Sequence, residues 1–126
     1  MTIKAGITFF YYRDLAAAHA FYRDVMGLRL VRDQGWAKIL ALSPSAYVGL
    51  VDETRGSLRA AADKPVMLTF VVEDDQVDVW HARLAAAGVA GLIAPKLHEG
   101  IGVYGFLATD PEGYRLEVQS FREPLA

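Results

Sequence analysis

The chain has 126 residues, a formal net charge of −2 and no cysteine. That length suffices for one domain, or for two small modules that share one core. The absence of cysteine excludes disulfides, thiolate metal sites and a cysteine nucleophile, and it fits the reducing cytoplasm, where we expect this protein. With no basic run and no apolar stretch of about 18 residues, the sequence predicts neither a nucleic-acid partner nor a membrane span.

The first half of the chain carries strand and helix signals in turn. A β-branched and aromatic run over 3–12 predicts a strand, and Asp14 is placed to cap a following helix. Residues 15–26 are alanine-rich and carry apolar side chains at helical spacing, which predicts that helix, and Gly27 ends it. Turn-favouring residues then separate three short predicted strands, over 28–33, 36–42 and 46–51.

The second half repeats the order of the first. A charged segment over 53–65, poor in large apolar residues, is typical of a linker between a first module, 1–52, and a second, 66–126. The second module has a predicted strand, a helix that Asp74 or Asp75 caps and Gly88 ends, with Trp80 in the core, and three strands over 91–97, 101–109 and 114–121. A shift of 61 relates the two helices, because Gly27 and Gly88 are 61 residues apart.

The last strand follows a predicted type I turn at 110–113. Beyond the turn the side chains alternate, and we assign Tyr114, Leu116, Val118 and Ser120 to the core. Glu117 lies on the other face, between Arg115 and Gln119. The sequence leaves open whether Glu117 faces water, a salt bridge, a metal or a ligand.

Two βαβββ units in tandem predict an α+β fold. Each unit forms a curved sheet with its helix outside, so eight strands in mixed sheets make a cup whose inner faces enclose a shared cavity.

The segments that carry a family resemblance are Asp14-Leu15, FYRDVMGL (21–28), VVED (71–74), LAAAGV (84–89) and DPEGYRLEV (110–118). They resemble the vicinal oxygen chelate superfamily, which contains glyoxalases, extradiol dioxygenases, fosfomycin-resistance enzymes and bleomycin-resistance proteins. The resemblance covers nearly the whole chain in order, and it implies a homodimer with a small-molecule ligand. It does not name the ligand, because this scaffold hosts many chemistries.

Metal-using members of the superfamily have four ligand positions, of which this chain keeps one. The first falls on Ile7, and the second lies in 46–51, which offers Tyr47 but no acid or histidine. The third falls on Leu68, or on Met67 after a slip of one residue, and the fourth is Glu117. Since these apolar side chains cannot coordinate a divalent cation, we expect no metal and no cofactor.

The resulting hypothesis is a metal-independent protein that binds an aromatic or amphipathic molecule, as drug-sequestering antibiotic-resistance proteins do. The predicted ligand-binding residues are Phe9, Tyr11, Trp36, Tyr47, His98, Tyr104, Phe106, Arg115 and Glu117. The competing interpretations are strand packing for the aromatic residues, an ion pair with Arg115 for Glu117, and an exposed loop for His98. His19 and His81 are expected on the surface.

The alternative is an enzyme. A lyase, isomerase or dioxygenase could hold a displaced metal through His98, Glu99 and Glu117, or could use Glu117 alone as acid or base.

Overall fold

The computed structural model describes residues 1–125. The chain forms two compact units, divided between Ala62 and Asp63. Each unit has one four-stranded mixed sheet and one α-helix, in the order strand, helix, strand, strand, strand. The predicted α+β fold of two βαβββ modules is therefore confirmed. Within the described residues, no helix has the length and apolar character that a membrane span requires.

The first unit has the strand order β1-β4-β3-β2. Strand β1 (Gly6–Tyr12) pairs parallel to β4 (Ala46–Asp52). Strand β3 (Ala37–Ser43) pairs antiparallel with both β4 and β2 (Arg29–Asp33). The parallel pair β1–β4 is possible because a helix and two strands separate its members in sequence.

The first helix, α1, spans Leu15–Ala20 and continues as a π-helical turn over Phe21–Val25. The predicted cap is confirmed, because the Ala17 amide donates to Asp14 Oδ1 at 3.0 Å. The wider π turn places successive side chains in the core: Phe21 and Tyr22 are both buried. Helical spacing alone could not decide between these two aromatic residues.

Alternation along β1 gives the first sheet two different faces. Phe10 and Tyr12 are buried, and the Tyr12 hydroxyl lies 3.3 Å from that of Tyr22 in the π-helical turn. The opposite face carries Ile7, Phe9 and Tyr11 from β1 and Tyr47 from β4, and we call it the aromatic face.

The second unit has the strand order β5-β8-β7-β6. Strand β5 (Met67–Val71) pairs parallel to β8 (Arg115–Phe121), and β7 (Val103–Thr109) pairs antiparallel with β8. Strand β6 covers only Lys96–His98, whereas the sequence predicted a strand from residue 91. Pro95 precedes β6 directly and lacks the amide hydrogen that an internal strand position needs.

The second helix, α2 (Val77–Ala86), follows a 3₁₀ turn over Asp74–Gln76. Neither Asp74 nor Asp75 caps it, contrary to prediction, because both lie inside the 3₁₀ turn and Gln76, which precedes α2, makes no side-chain capping bond. The Asp74 carboxylate instead accepts a hydrogen bond from the Ser120 hydroxyl at 2.7 Å. The core assignment of Trp80 also needs correction: its ring is half-buried, 5.2 Å from the Arg83 guanidinium.

The internal repeat has one shift for the helices and another for the first strands. A shift of 61 relates Gly27 to Gly88, which end the helical segments with φ of 69° and 70°. The same shift would place Phe9 on Phe70, yet Phe70 pairs with Val118 on the helix-covered side. A one-residue slip restores matching faces, so Ile7 corresponds to Met67.

Candidate functional site

Two neighbouring pockets lie on the aromatic face of the first unit. The first, which we call the aromatic pocket, has a volume of about 440 Å³ and is lined by Phe9, Tyr11 and Trp36 among others. The second, which we call the β2 pocket, has a volume of about 490 Å³, with Ile7, Arg32 and Tyr47 in its walls. Gln34 lines both pockets, so they adjoin each other.

Strand register arranges the aromatic side chains on this face. Ile7 pairs with Tyr47 and Phe9 with Gly49, so all point to one side of the sheet. A Cβ at Gly49 would overlap the Phe9 ring, which shows that the missing side chain lets this ring lie over β4. Phe9 remains 44% exposed and Trp36 40%. Exposed large apolar groups that share one concavity are typical of a ligand surface.

The Tyr47 side chain is held in place by its own turn. Its hydroxyl donates to the Pro44 carbonyl oxygen at 2.9 Å, and its ring forms a wall of the β2 pocket. The structure therefore brings four sequence-predicted residues to this site: Phe9, Tyr11, Trp36 and Tyr47.

The loop after β4 supplies a wall that the sequence interpretation missed. Residues 53–62 belong to the first unit, and Arg55, Gly56 and Ser57 line the aromatic pocket. The Tyr11 hydroxyl lies 3.4 Å from Ser57 Oγ, and a Cβ at Gly56 would come within 2.8 Å of the Tyr11 ring. The loop is thus packed against β1.

A local motif organises this loop. Asp52 Oδ1 accepts hydrogen bonds from the Thr54 hydroxyl at 2.7 Å and from its amide at 2.9 Å, and these bonds hold the pKa of Asp52 below its usual range. Arg59 Nη1 donates to the carbonyl oxygens of Glu53 and Gly56. The Asp52-x-Thr54 spacing, an Asx-type turn signal, could have indicated from the sequence that a turn follows β4.

Glu117 lies in the second unit with neutral partners. Its Oε1 accepts from the Thr69 hydroxyl at 2.8 Å across the β5–β8 pair. With its amide nitrogen turned toward the carboxylate, Gln119 donates to Glu117 Oε2 at 3.2 Å. These bonds compensate the half-buried charge without a cation. Arg115 on the same strand is exposed.

The placement of Tyr104 and Phe106 differs from the prediction. Both lie on the helix-covered face of the second sheet, because they pair with Ser120 and Val118 while Glu117 pairs with Leu107. The Tyr104 hydroxyl donates to Asp78 Oδ1 at 2.6 Å, and this bond raises the pKa of Tyr104. Phe106 is only 3% exposed. Neither side chain shares a face with Glu117.

The three histidines have different environments. His98 is exposed in β6, and His81 is half-buried edge-on against Phe106, with ring centroids 5.1 Å apart, rather than on the surface as expected. His19 is also half-buried, and its Nε2 has no hydrogen-bond partner among the described atoms. Burial lowers the pKa of His19, as do the Lys38 and Arg23 cations, against weaker opposition from two nearby aspartates.

The metal-ligand positions of the superfamily do not fit a cation here. Ile7 and Met67 offer no oxygen or nitrogen, Tyr47 is tied to a backbone carbonyl, and Glu117 is hydrogen-bonded to Thr69. Among residues 1–125, no three histidine or carboxylate side chains are grouped to hold a metal ion, so the alternative set of His98, Glu99 and Glu117 is not assembled.

Comparisons with known proteins agree with this fold. A family model described as the Glyoxalase/Bleomycin resistance protein/Dioxygenase superfamily matches residues 5–118. A lactoylglutathione lyase from Agrobacterium tumefaciens is similar over 90% of each chain, with 29% identity and a TM-score of 0.73. Another Agrobacterium tumefaciens protein, solved by solution NMR, has 31% identity over 98% of this chain and 100% of its own, with a TM-score of 0.78.

The fosfomycin resistance protein FosX from Mesorhizobium loti shares the fold at 18% identity, with a TM-score of 0.68 over 96% of this chain and 92% of its own. No curated protein sequence matches this chain. The family model spans most of the described structure, including both modules. The chain therefore belongs to the Glyoxalase/Bleomycin resistance protein/Dioxygenase superfamily.

Proposed function

We propose that this protein binds an aromatic or amphipathic small molecule, without a metal, on the aromatic face of its first module. The observation that carries the proposal is the exposure of Ile7, Phe9 and Trp36, at 43%, 44% and 40%, along two adjoining pockets. Their volumes of about 440 and 490 Å³ lie within the range of small-molecule sites.

Burial of apolar surface supplies the affinity. A two-ring ligand that covers about 200 Å² of apolar surface gains roughly 5 kcal/mol before the cost of association. Pre-organisation keeps that cost low, because Tyr11 is held near Ser57 and Tyr47 by the Pro44 carbonyl before any ligand arrives. A gain of this size corresponds to a dissociation constant of about 0.2 mM at the tightest, so affinity between that value and the millimolar range is the expected result.

A metal-dependent lyase is the second candidate, with isomerase and dioxygenase chemistry as less supported variants. The 29% identity to the Agrobacterium tumefaciens lactoylglutathione lyase favours it. The side chains at the metal-ligand positions argue against a metal-dependent lyase, since Ile7 and Met67 occupy two of these positions and offer no oxygen or nitrogen donor. Formation of lactoylglutathione only when a divalent metal is added would support the lyase, whereas no formation with any added metal would support the binding protein.

We further propose that the protein is a homodimer and that it is located in the cytoplasm. Superfamily resemblance supports the dimer, and the absence of cysteine fits a reducing compartment. Light scattering coupled to size-exclusion chromatography measures the assembly directly: we expect the mass of two chains, and a single-chain mass would contradict this part.

Fluorescence titration with N-phenyl-1-naphthylamine, a neutral probe with a naphthyl and a phenyl group, tests the binding site in chelator-treated protein. We expect saturable binding to the wild type and about tenfold weaker binding to Trp36→Ala, which removes a pocket wall. Val79→Ala is the matched control, because Val79 is 58% exposed on α2, outside both pockets. Binding that appears only after metal is restored, or that Trp36→Ala leaves unchanged, would contradict the proposal.

A further inference from the structure

The two pockets of the first module contain positive charge and no carboxylate. Arg32 lines the β2 pocket and Arg55 the aromatic pocket, and no aspartate or glutamate is among the described residues of either wall. The chain as a whole has a net charge of −2. The charge of the site is therefore opposite in sign to that of the protein.

A strand irregularity turns Arg32 toward the pocket. Leu30 pairs with Leu40, which is fully buried on the helix-covered face, so regular alternation would give residue 32 that same face. The register shifts between Leu30 and Arg32, and Arg32 pairs with Ile39 instead. Ile39 and Arg32 both line the β2 pocket. Bulges commonly re-aim one side chain in this way beside a functional site.

Of the two arginines that line the pockets, Arg32 has less negative charge near its guanidinium than Arg55 has. Asp52 lies close enough to Arg55 for this arginine to contribute to its lowered pKa. The ion pairs seen in the described part of the chain involve Arg13, Arg23, Lys38 and Arg122, and none of them includes Arg32. The Arg32 guanidinium thus has its donors available at the rim of an apolar pocket.

We propose that the β2 pocket binds the carboxylate of an aromatic carboxylic acid, with Arg32 as its ion-pair partner and the ring in the aromatic pocket; this rests on the proposed function. One guanidinium neutralises one negative charge, and its planar donors match a carboxylate in a bidentate pair. A phosphate monoester carries nearly two charges and would need a second cation. Gln34, which lines both pockets, lies where ring and acid join.

Calorimetric titration of chelator-treated protein with 2-naphthoate and with the neutral 2-naphthamide tests this assignment at neutral pH. We expect the wild type to bind the acid about tenfold more tightly than the amide, as a charge-assisted pair would produce. Arg32→Gln should bind both probes equally, and Arg32→Lys should keep part of the preference. Arg23→Gln removes the same charge outside both pockets and should behave as wild type.

The outcomes separate the two proposals. Equal binding of acid and amide by the wild type, or a preference that survives in Arg32→Gln, would overturn the carboxylate assignment and leave the apolar site intact. Binding of neither probe to the wild type would overturn both. Because Arg32 is exposed and takes part in no ion pair among residues 1–125, its variants should unfold at the wild-type temperature, which thermal denaturation checks.

Discussion

Replacing Gly49 by alanine places one methyl group directly beneath the Phe9 ring. The added Cβ would overlap this ring, so the ring must rotate away from β4. Moving a side chain off its preferred rotamer costs about 0.5–1.5 kcal/mol. Alanine in a strand recovers about 0.5–1 kcal/mol relative to glycine. Since Phe9 is 44% exposed and can move, we expect the free energy of unfolding to change by less than about 1 kcal/mol.

Ligand binding should respond much more strongly than stability to this change. The displaced ring occupies part of the aromatic pocket, and a misfit of this size weakens binding about tenfold. Urea denaturation measures the free energy of unfolding, and titration with N-phenyl-1-naphthylamine measures the ligand affinity. Gly6→Ala is the matched control on the neighbouring strand, because no described atom lies within 4 Å of its added Cβ. Unchanged affinity in Gly49→Ala, or a loss of stability beyond about 3 kcal/mol, would refute this reasoning.

Three further changes test other parts of the structure. Asp110→Ala should lower the free energy of unfolding by about 2–3 kcal/mol, because Oδ1 accepts from two backbone amides in a buried turn, while Asp110→Asn keeps this acceptor and most of the stability. In urea titrations, a minor effect of alanine would contradict this role. Burial, aided by Lys38, lowers the pKa of His19, so the folded state disfavours its protonation. The wild type should therefore lose stability relative to His19→Gln as pH falls below about 6.5. If the free energies of unfolding of the two proteins ran parallel with pH, this effect of His19 would be contradicted. Thr69→Val should cost about 1–2 kcal/mol by removing the hydroxyl that donates to Glu117, and an unchanged denaturation midpoint would exclude that contribution.

Local chemistry made much of the fold predictable. The Asp14 cap depends only on the residues beside it, and the buried face of β8 follows from simple alternation after the Asp110 turn. Alternation along β1 likewise places Phe9 and Tyr11 on one face, where both line the aromatic pocket. Each of these features is decided by side chains within a few positions of one another.

Features that depend on strand register were not predictable. Tyr104 and Phe106 share a face in any register, but only pairing with β8 shows that α2 covers it. The irregularity that turns Arg32 toward the pocket leaves no local signal, since residues 29–33 resemble an ordinary strand. Such placements depend on which strand becomes the pairing partner and in which register, since a shift of one residue moves every side chain of a strand to the opposite face of the sheet.

The most direct test of metal-independent binding on the aromatic face is the response of the two tryptophan indole signals to 2-naphthamide in chelator-treated protein. Trp36 lines the aromatic pocket, whereas Trp80 lies on α2 outside both pockets, and the Trp80→Phe variant assigns the two ¹⁵N–¹H resonances. We expect the Trp36 indole signal to shift in a saturable way while that of Trp80 stays fixed. A Trp36 signal that stays fixed, or that shifts only after a divalent metal is added, would contradict metal-independent binding at this face.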